Sequence, residues 1–516
     1  MLSRFLGEKN VYKILLLAYS ALAIGLAFNK IVLSLATLLI AAICLFDFNL
    51  EKYKKAIQGN KIIQVFLLFL FLHLLSFFWS ENTAYFLKDL NSKLPFYAIP
   101  LVFVLKPLQA KKELYFIFGL FLLSLTIISA INFISYYGWR KTEYDNIRNL
   151  SLFLSHIRFG LMLIFGMVLT FFWLKSKELT WKIIPLVLMI WFLVYTYFSE
   201  VFSCYLALFG VLIFALLYQI RFSRHKKKYI VSFSVFILAI FSLVFYFFYS
   251  NENIKPKLSE LPEVTANGNI YEHDLSTNHF INGNFVFSHI CKPELLKEWY
   301  KVSDLKISDY NVNDYHYYDL LQYMTSKGLT KDSLGFQSLT KEDVAKIERG
   351  IHNYKDEKEG FFSRMKTLKD EFSDSNPNGK TILQRIQYLK AGFTIFKKSW
   401  LFGIGSGDLE QEFKAYYSTH DTKLYPENQL RTHNQIATYF ISFGVFGGIL
   451  FLLIFVFAFS HFYKNKLLLP LLFLVIILIS FLSEDTLETQ FGATFFGFFF
   501  GIFISSTHLL NQKNED

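Results

Sequence analysis

The sequence predicts an all-α protein that crosses a membrane many times. Hydrophobic residues make up 53% of the 516-residue chain and aromatic residues 19%, and the mean hydropathy is +0.35. This composition exceeds what the core of a soluble globular protein requires. The apolar runs approach the ~20 residues with which an α-helix spans a bilayer. They predict about twelve transmembrane helices, at approximately residues 11–28, 31–48, 62–79, 90–105, 113–137, 157–174, 181–198, 200–220, 229–250, 434–463, 467–482 and 494–510.

Basic residues predict the orientation of these helices. The formal net charge of +11 could indicate nucleic-acid binding, but most lysines and arginines flank the apolar runs, which indicates membrane topology instead. With the N-terminus in the cytoplasm, the even-numbered loops are the basic ones, at residues 52–61, 106–112, 175–182, 221–228 and 464–466. This alternation also supports the fourth span, which contains Pro95 and Pro100. We therefore predict cytoplasmic N- and C-termini and no nucleic-acid partner.

The predicted helices divide the chain into three parts. Residues 1–250 form a membrane domain of nine helices, and residues 251–433 form one large external loop, which is periplasmic if the cell has a periplasm. Residues 434–516 add three helices and a short cytoplasmic tail. The external loop is polar but not of low complexity, so we expect it to fold and to be mostly helical.

Helix signals recur along the external loop. Residues 315–327 predict a helix that Gly328 ends, and residues 340–350 predict another. A break follows at Asn376–Gly379. After it, apolar residues recur at helical spacing and predict an amphipathic helix over 380–400 that could lie along the membrane.

Several classes of site lack support in the sequence. The cysteines Cys44, Cys204 and Cys291 suggest no disulfide framework, since the first two fall in apolar runs. The first apolar run has no convincing cleavage site, so we interpret it as a retained helix and not as a signal peptide. Metal-ligand spacings and nucleotide-binding signatures are absent from the sequence. We predict neither a metal nor a cofactor, and a donor other than ATP or a nucleotide sugar.

The segment Arg431-Thr432-His433-Asn434-Gln435 lies directly before the tenth span. A histidine exchanges a proton near neutral pH, and an arginine stays charged. His433 could be an ordinary interfacial histidine. However, a base beside cations suits a reaction in which a hydroxyl is deprotonated while a phosphate leaves.

Other cations are predicted at the same outer boundary. Arg385 lies on the amphipathic helix, and Arg158 lies at the outer end of the sixth span. Arg158 could simply extend its charge to the membrane surface, but an outer arginine opposes the positive-inside trend and could bind phosphate. The same reasoning applies more weakly to Lys93, and His156 is a second candidate base.

Three glycines, Gly403, Gly405 and Gly407, precede Asp408. They resemble a phosphate-binding loop only superficially, because no strand comes before them and no Lys-Ser/Thr pair follows. We interpret them as a tight turn.

Together these features resemble the O-antigen ligase and polymerase family. The resemblance rests on the number of spans, the late external loop, the arginine-bearing helix that ends in Leu401–Gly407, the Arg431–Gln435 segment and the following Phe443–Gly448. It is strongest over residues 381–450.

The resemblance implies a metal-independent glycosyltransferase of the bacterial inner membrane. Such an enzyme transfers a glycan from undecaprenyl diphosphate to an acceptor hydroxyl on the outer face, as in lipopolysaccharide or surface-polysaccharide assembly. The implied partners are this lipid-linked glycan, an acceptor such as lipid A-core, and the bilayer. We expect catalytic roles for His433, Arg385 and Arg431, and substrate binding by Arg158, Lys93, Asn434, Asp408 and His156.

The sequence departs from the family at two positions. Many members carry a Ser-Arg pair at the start of the eighth span, where this chain has Ser199-Glu200, and many have proline where Trp400 stands. The missing arginine is thought to hold the diphosphate in the family, and Arg431 could compensate.

Alternatives within and outside this class remain open. An O-antigen ligase, a repeat-unit polymerase and a protein O-oligosaccharyltransferase are not separable from the sequence. A transporter or flippase for the same lipid is the rival from another class, and it would be expected to place charged groups in the middle of its spans.

Overall fold

The computed structural model describes residues 7–140, 147–175, 182–249, 255–276, 279–305, 315–348, 351, 353–354, 377, 381–420 and 422–511. The chain forms two compact units. The first comprises Met1–Phe233 and Gln384–Asp516, and the second comprises Ser234–Leu383.

A helix occupies each of the twelve predicted span positions. In chain order these helices, with one short helix among them, are α1 (Glu8–Gly25), α2 (Lys30–Phe46), the short α3 (Leu50–Gln58), α4 (Lys61–Leu75), α5 (Thr83–Leu105), α6 (Lys111–Ser135), α7 (His156–Leu174), α8 (Ile183–Ser199), α9 (Phe202–Phe222) and α10 (Lys226–Tyr249), and then, after the second unit, α17 (Gln435–Lys464), α18 (Leu468–Ser483) and α19 (Gln490–Ser505). The remaining helices of the first unit are α15 (Thr381–Lys398), α16 (Leu409–Thr419) and α20 (Thr507–Asn511). By the unit boundaries, residues 234–249 of α10 and the first three residues of α15 belong to the second unit. The amphipathic helix predicted over 380–400 is therefore present as α15.

Fewer helices than the twelve predicted are long and apolar enough to count as membrane crossings. Among the described residues, five helices are long and apolar enough to cross, and a sixth counts if α2 and α3, bent by 114°, form one span. Three further apolar helices, α8, α18 and α19, are only 16 or 17 residues long. In α5 the first half carries Lys88, Asp89 and Lys93. The polytopic, all-α class holds, whereas twelve complete spans are not confirmed.

Close packing of α19 on α5 explains how a helix with two prolines and three charges is held in place. A Cβ added at Gly497 would come 2.7 Å from the Pro95 carbonyl oxygen, and one at Gly501 would come 3.0 Å from Pro100 Cα. Small residues at helix contacts let backbones approach closely in membranes, where packing drives association. The polar start of α5 consequently lies beside the turn that precedes α19.

The second unit is a small, mostly helical domain. It contains a two-stranded antiparallel hairpin, β1 (Phe280–Ile281) and β2 (Asn284–Phe285), followed by α11 (Lys292–Val302), α12 (Tyr315–Ser326), α13 (Ser333–Gln337) and α14 (Lys341–Glu348). Its core surrounds the fully buried Trp299.

Two predictions for this unit are confirmed and one lies outside the described residues. The predicted helices near 315–327 and 340–350 are present as α12 and α14. Gly328 adopts a left-handed backbone with φ of 73° directly after α12, as a helix-ending glycine does. The break predicted at Asn376–Gly379 falls outside the described part of the chain, apart from Pro377.

Candidate functional site

The helix α17, which follows His433, contains a break. Gly444 has φ of 64° and ψ of −167°, a conformation essentially restricted to glycine, inside a segment that otherwise reads as one continuous helix. The loop that ends α15 fills the break with backbone hydrogen bonds: Ile404 N–H donates to the Ile441 carbonyl at 3.0 Å, and Gly405 N–H donates to the Ser442 carbonyl at 2.9 Å. The two segments are therefore locked together.

The glycines of this loop are needed for close approach. Gly403 and Gly405 have φ of 76° and 88°, and a Cβ at Gly403 would overlap the Ser442 backbone. The N–H groups of Gly403, Ile404, Gly405 and Gly407 all donate to protein oxygens. A phosphate-binding loop would leave such groups open for the anion. The structure thus favours the interpretation of this segment as a turn.

Substitution of Gly444 should destabilise the protein. In Gly444→Ala the new Cβ would overlap the Leu401 carbonyl oxygen at a backbone conformation that L-residues avoid. Such strain costs about 1–3 kcal/mol. We expect a lower melting temperature for the purified protein in detergent. Gly119→Ala is the matched control, because Gly119 lies in α6 with nothing within 4 Å of its added Cβ, and its melting temperature should be unchanged or slightly raised. Equal melting temperatures for the two variants would contradict the role of the break.

Asp408 anchors the start of α5. Its two carboxylate oxygens accept hydrogen bonds from the N–H groups of Glu81 and Asn82, at 2.9 and 2.8 Å. Asn82 in turn caps α5 by accepting from Tyr85 N–H at 2.9 Å. Asp408, predicted to bind substrate, is therefore engaged with the main chain and fixes the helix that carries Tyr85, Asp89 and Lys93.

A cavity of about 530 Å³ opens within the first unit. Residues from four segments line it: the first turns of α5, the helix α16, the segment before α17 and the turn between α18 and α19. The lining residues that bear on the chemistry are Tyr85, Asp89, Arg431, His433, Asp485 and Glu488. His433 and Arg431 thus face a space large enough for a ligand, since small-molecule sites usually span about 300–1,000 Å³.

Lys93, predicted to bind phosphate, lies in a buried network of ionisable side chains. Its ammonium is 2.8 Å from Asp89 and 2.9 Å from Glu488, and the side chain is 2% exposed. Asp89 also approaches His73 Nε2 at 3.3 Å. Two carboxylates therefore neutralise Lys93 inside the protein, and its charge holds the α5 and α19 ends together.

His73 is a member of this network that the sequence analysis did not identify. The ring is fully buried in α4, where Nδ1 lies 2.8 Å from the Tyr97 hydroxyl and Nε2 lies 3.2 Å from the Ser406 hydroxyl. A histidine within an apolar run was the signal available, because ionisable residues inside membrane segments usually have partners.

Arg431 faces the cavity but is held by a carboxylate. Its Nη1 lies 3.5 Å from Glu488 Oε2 and donates to the Tyr85 hydroxyl at 3.2 Å. Burial opposes the charge, but the carboxylates of Glu488 and Asp485 outweigh it and hold the pKa of Arg431 above its ordinary value. Burial raises the pKa of Glu488, although the cations nearby oppose the shift.

His433 occupies a strained backbone position at the cavity wall. Its φ is 46°, which is uncommon for a residue other than glycine, and its ring lies 5.7 Å from that of Tyr388. Among the described residues, no group hydrogen-bonds to either of its ring nitrogens. Burial lowers the pKa of His433, and the guanidinium groups of Arg385, Arg431 and Arg158 lower it further, while Asp485 opposes them. The imidazole is therefore neutral and free to accept a proton.

Asn434 fixes the position of His433. Its side-chain oxygen accepts from Ala437 N–H at 2.9 Å, which caps the start of α17, and its Nδ2 donates to the Leu482 carbonyl at 3.2 Å. Asn434 thus ties His433 to the end of α18, and its predicted contact with substrate stays a prediction.

Arg385 and Arg158 lie near a second carboxylate, outside the cavity lining. Arg385 Nη2 is 3.3 Å from Glu484 Oε1. Arg158 acts electrostatically on Glu484 and Asp485, and its Nε is buried with no hydrogen-bond partner among the described residues. A buried donor without a partner is costly and indicates a missing acceptor. Burial raises the pKa of Glu484, which the two arginines partly counteract.

Three further sequence predictions take less central positions. His156 begins α7, is half-buried and does not line the cavity. Glu200, at the departure from the family, has a left-handed φ of 53° just after α8. Trp400 is 56% exposed, and its carbonyl accepts from Val445 N–H across the break in α17.

The acidic residues of the site were missed by the sequence analysis. Glu484, Asp485 and Glu488 lie in the loop between the eleventh and twelfth predicted spans, to which the sequence analysis assigned no role. Their position in the sequence could have indicated a role, because the predicted topology puts this loop on the same outer face as His433.

The fold and the site together define a polytopic helical membrane protein whose arginines, acids and one histidine meet at one end of its helices. Residues 352–452 match the family model described as O-antigen ligase. This match confirms, over that segment, the resemblance to the O-antigen ligase and polymerase family that the sequence predicts. Members of this family are glycosyltransferase or ligase enzymes. A search of curated proteins returns no match.

The matched segment covers part of the site. It includes Arg385, Arg431 and His433, together with both partners of the glycine-dependent break in α17. Arg158, Asp485 and Glu488 lie outside it. The family match therefore covers three members of the cluster and not the whole of it.

Proposed function

We propose that the protein transfers a glycan from undecaprenyl diphosphate to an acceptor hydroxyl on the outer face of a bacterial inner membrane. The observation that carries this proposal is the neutral His433 on a cavity wall, within electrostatic range of Arg158, Arg385 and Arg431. A neutral imidazole is the form that accepts a proton, and cations stabilise a departing diphosphate.

In the proposed reaction, the histidine takes up a proton and the arginines take up negative charge. The acceptor hydroxyl gives its proton to His433 while its oxygen forms a bond to the anomeric carbon of the donor sugar. The bond from that carbon to the diphosphate oxygen breaks, and the diphosphate leaves with the electron pair. Arg158, whose Nε is unsatisfied, and Arg385 lie where they could take up this negative charge.

Ligase, polymerase and protein O-oligosaccharyltransferase activities fit this chemistry equally well. One feature supports the transporter alternative, namely the buried charged side chains around Lys93. However, one of these ionised side chains, that of Glu488, lies in the turn before α19, at the same end of the helices as His433. Their place beside the candidate base favours the enzyme.

Deletion of the gene tests the proposal in cells. We expect altered surface glycans on a gel. Loss of long chains from lipid A-core, with long chains accumulating on the lipid carrier, would indicate a ligase. Lipid A-core that carries a single repeat would indicate a polymerase. Unchanged surface glycans and unchanged lipid-linked intermediates would contradict the proposal.

The orientation of the chain is a separate prediction. The basic even-numbered loops predict that a reporter fused near Lys227 is cytoplasmic and that one fused near Ser375 is external. Activity of a periplasmic reporter at Ser375, and its absence at Lys227, would support the outer placement of the site. A cytoplasmic position for Ser375 would exclude the proposed reaction at the outer face.

A further inference from the structure

We propose that α2 crosses the membrane, that α3 then lies along the membrane surface, and that the lysines of α3 bind the headgroups of anionic phospholipids. The helix α3 comprises Leu50–Gln58 and follows α2 across a bend of 114°, which is closer to a right angle than to a straight continuation. A helix that leaves a membrane-crossing helix at such an angle runs nearly parallel to the bilayer. This inference goes beyond the proposed function and does not depend on it.

The corner between α2 and α3 lies about one bilayer thickness from the cavity. Asp47 in this corner forms an ion pair with Lys106, directly after α5 ends at Leu105. Tyr85, in the first turn of the same helix, lines the cavity. The roughly 20 residues between Tyr85 and Leu105 correspond to about 30 Å of α-helix, which matches the hydrocarbon core of a bilayer. The helix α3 therefore lies at the membrane face opposite the cavity.

The polar side of α3 carries positive charge that no protein group neutralises. Lys52, Lys54 and Lys55 are exposed, and their side chains form no ion pair or hydrogen bond within the described part of the chain. Glu51 is the single acid of the helix, so positive charge predominates. Unpaired charges are costly in hydrocarbon, which excludes a position of α3 inside the bilayer. At the bilayer surface the same lysines meet the phosphates of anionic lipids.

An apolar edge beside these lysines faces the lipid chains. Phe46, Phe48 and Leu50 lie at the corner between α2 and α3 and are 61%, 59% and 67% exposed. No protein group covers them to that extent, although they continue the apolar run of α2. A basic face next to exposed aromatic and leucine side chains is typical of helices that lie in the membrane interface. Acyl chains are therefore the expected neighbours of this edge, and headgroups those of the lysines.

Hydrogen bonds fix α3 in this orientation. Tyr53 is buried, and its hydroxyl donates to the Cys44 carbonyl in the last turn of α2 at 2.9 Å. At the other end of α3, Gln64 Nε2 of α4 donates to the Gln58 carbonyl at 2.8 Å. The helix also packs against α4 and α5. The lysines are therefore presented on a preformed surface, so that binding a lipid requires little ordering of the backbone.

Lipid affinity tests this assignment. Full-length protein in detergent is titrated with anionic phosphatidylglycerol or with zwitterionic phosphatidylcholine, and native mass spectrometry gives the affinity for each. The test variant is Lys52→Gln/Lys54→Gln/Lys55→Gln. The matched control is Lys226→Gln/Lys227→Gln/Lys228→Gln, which removes the same charge from exposed positions at the start of α10. These control lysines are consecutive and therefore point to different sides of their helix.

We expect the wild type to bind phosphatidylglycerol more tightly than phosphatidylcholine. The test variant should lose roughly 100-fold in affinity for phosphatidylglycerol, since each lysine near an anionic surface contributes roughly fivefold. The control variant should lose far less. Glu51→Gln removes the opposing charge and should raise the affinity by roughly fivefold, a gain that misfolding cannot produce.

A nitroxide label reports separately on the position of α3. The native cysteines Cys44, Cys204 and Cys291 are buried, so the label reaches a cysteine introduced at an exposed position. In vesicles of phosphatidylcholine and phosphatidylglycerol, a label on Leu50→Cys should be accessible to oxygen dissolved in the lipid and shielded from a water-soluble nickel chelate. A label on Lys55→Cys should show the reverse.

Four results would overturn the assignment. Equal affinity of the wild type for the two lipids would show that α3 does not select anionic headgroups. Equal losses in the two triple variants would show that only the total charge matters. Exposure of the Leu50→Cys label to the nickel chelate would place α3 away from the bilayer. Shielding of that label from both reagents would show that another protein, or a second copy of this chain, covers the surface.

Discussion

Glycan transfer should fall about 100- to 10,000-fold when His433 is replaced by glutamine, because a positioned general base typically contributes that much. Glutamine keeps a hydrogen-bonding group at the site but cannot take the acceptor's proton. Alanine should cost at least as much. His420→Gln is the matched control, since His420 is exposed, stacks on Tyr416 at 4.2 Å and does not line the cavity. That variant should transfer glycan at the wild-type rate.

The pH dependence gives an independent check on His433. Burial and the surrounding arginines lower its pKa below the ordinary value of 6.5. The neutral form therefore predominates at and above pH 7, and wild-type transfer should fall only as the pH drops through this lowered pKa. In His433→Gln the residual rate should lose this acid limb.

The measurement is transfer by purified protein from a lipid-linked donor in the presence of a chelator. Near-normal turnover in His433→Gln would show that the histidine positions the acceptor while departure of the diphosphate drives the reaction unaided. A requirement for added divalent metal would contradict the metal-independent mechanism.

The helices were predictable from sequence because each depends on a local pattern. Uninterrupted apolar runs give the positions of all twelve predicted spans, and the spacing of apolar residues gives α15. Their capacity to cross a bilayer was less predictable. The charges in α5 shorten its apolar part, and they are tolerated because Glu488 neutralises Lys93 from a distant part of the chain.

The break in α17 could not be read from the chain. Residues 436–463 appear as one apolar run, and Gly444 alone does not indicate a break. Only the approach of Leu401 and Gly403 from another segment requires the unusual backbone there. The candidate base was accessible to sequence reasoning because it lies at a polar-to-apolar boundary. Its acidic neighbour Asp485 was not, since that contact is long-range.

Arg385 is expected to be indispensable for donor binding. Removal of one preorganised charged donor at a developing negative charge costs about 100- to 1,000-fold in rate. Arg385→Ala should therefore nearly abolish transfer while leaving expression intact. Arg385→Lys should not fully rescue it, because lysine lacks the planar fork that binds phosphate with two hydrogen bonds. Lys397→Ala removes an exposed cation from the same helix and should have no effect.

The ion pair between Arg385 and Glu484 leads to a more specific prediction. In the described structure the Glu484 carboxylate lies 3.3 Å from Arg385 Nη2, where it would compete with a phosphate oxygen for the guanidinium. Glu484→Gln removes that competing charge and should lower the donor KM, in the opposite direction to Arg385→Ala. If Arg385 served only to pair with Glu484, the result would be different. Both variants would lower the melting temperature equally, and neither would change the donor KM. Full activity in Arg385→Ala would exclude Arg385 from the site and leave Arg158 and Arg431 as the remaining candidates for binding the diphosphate.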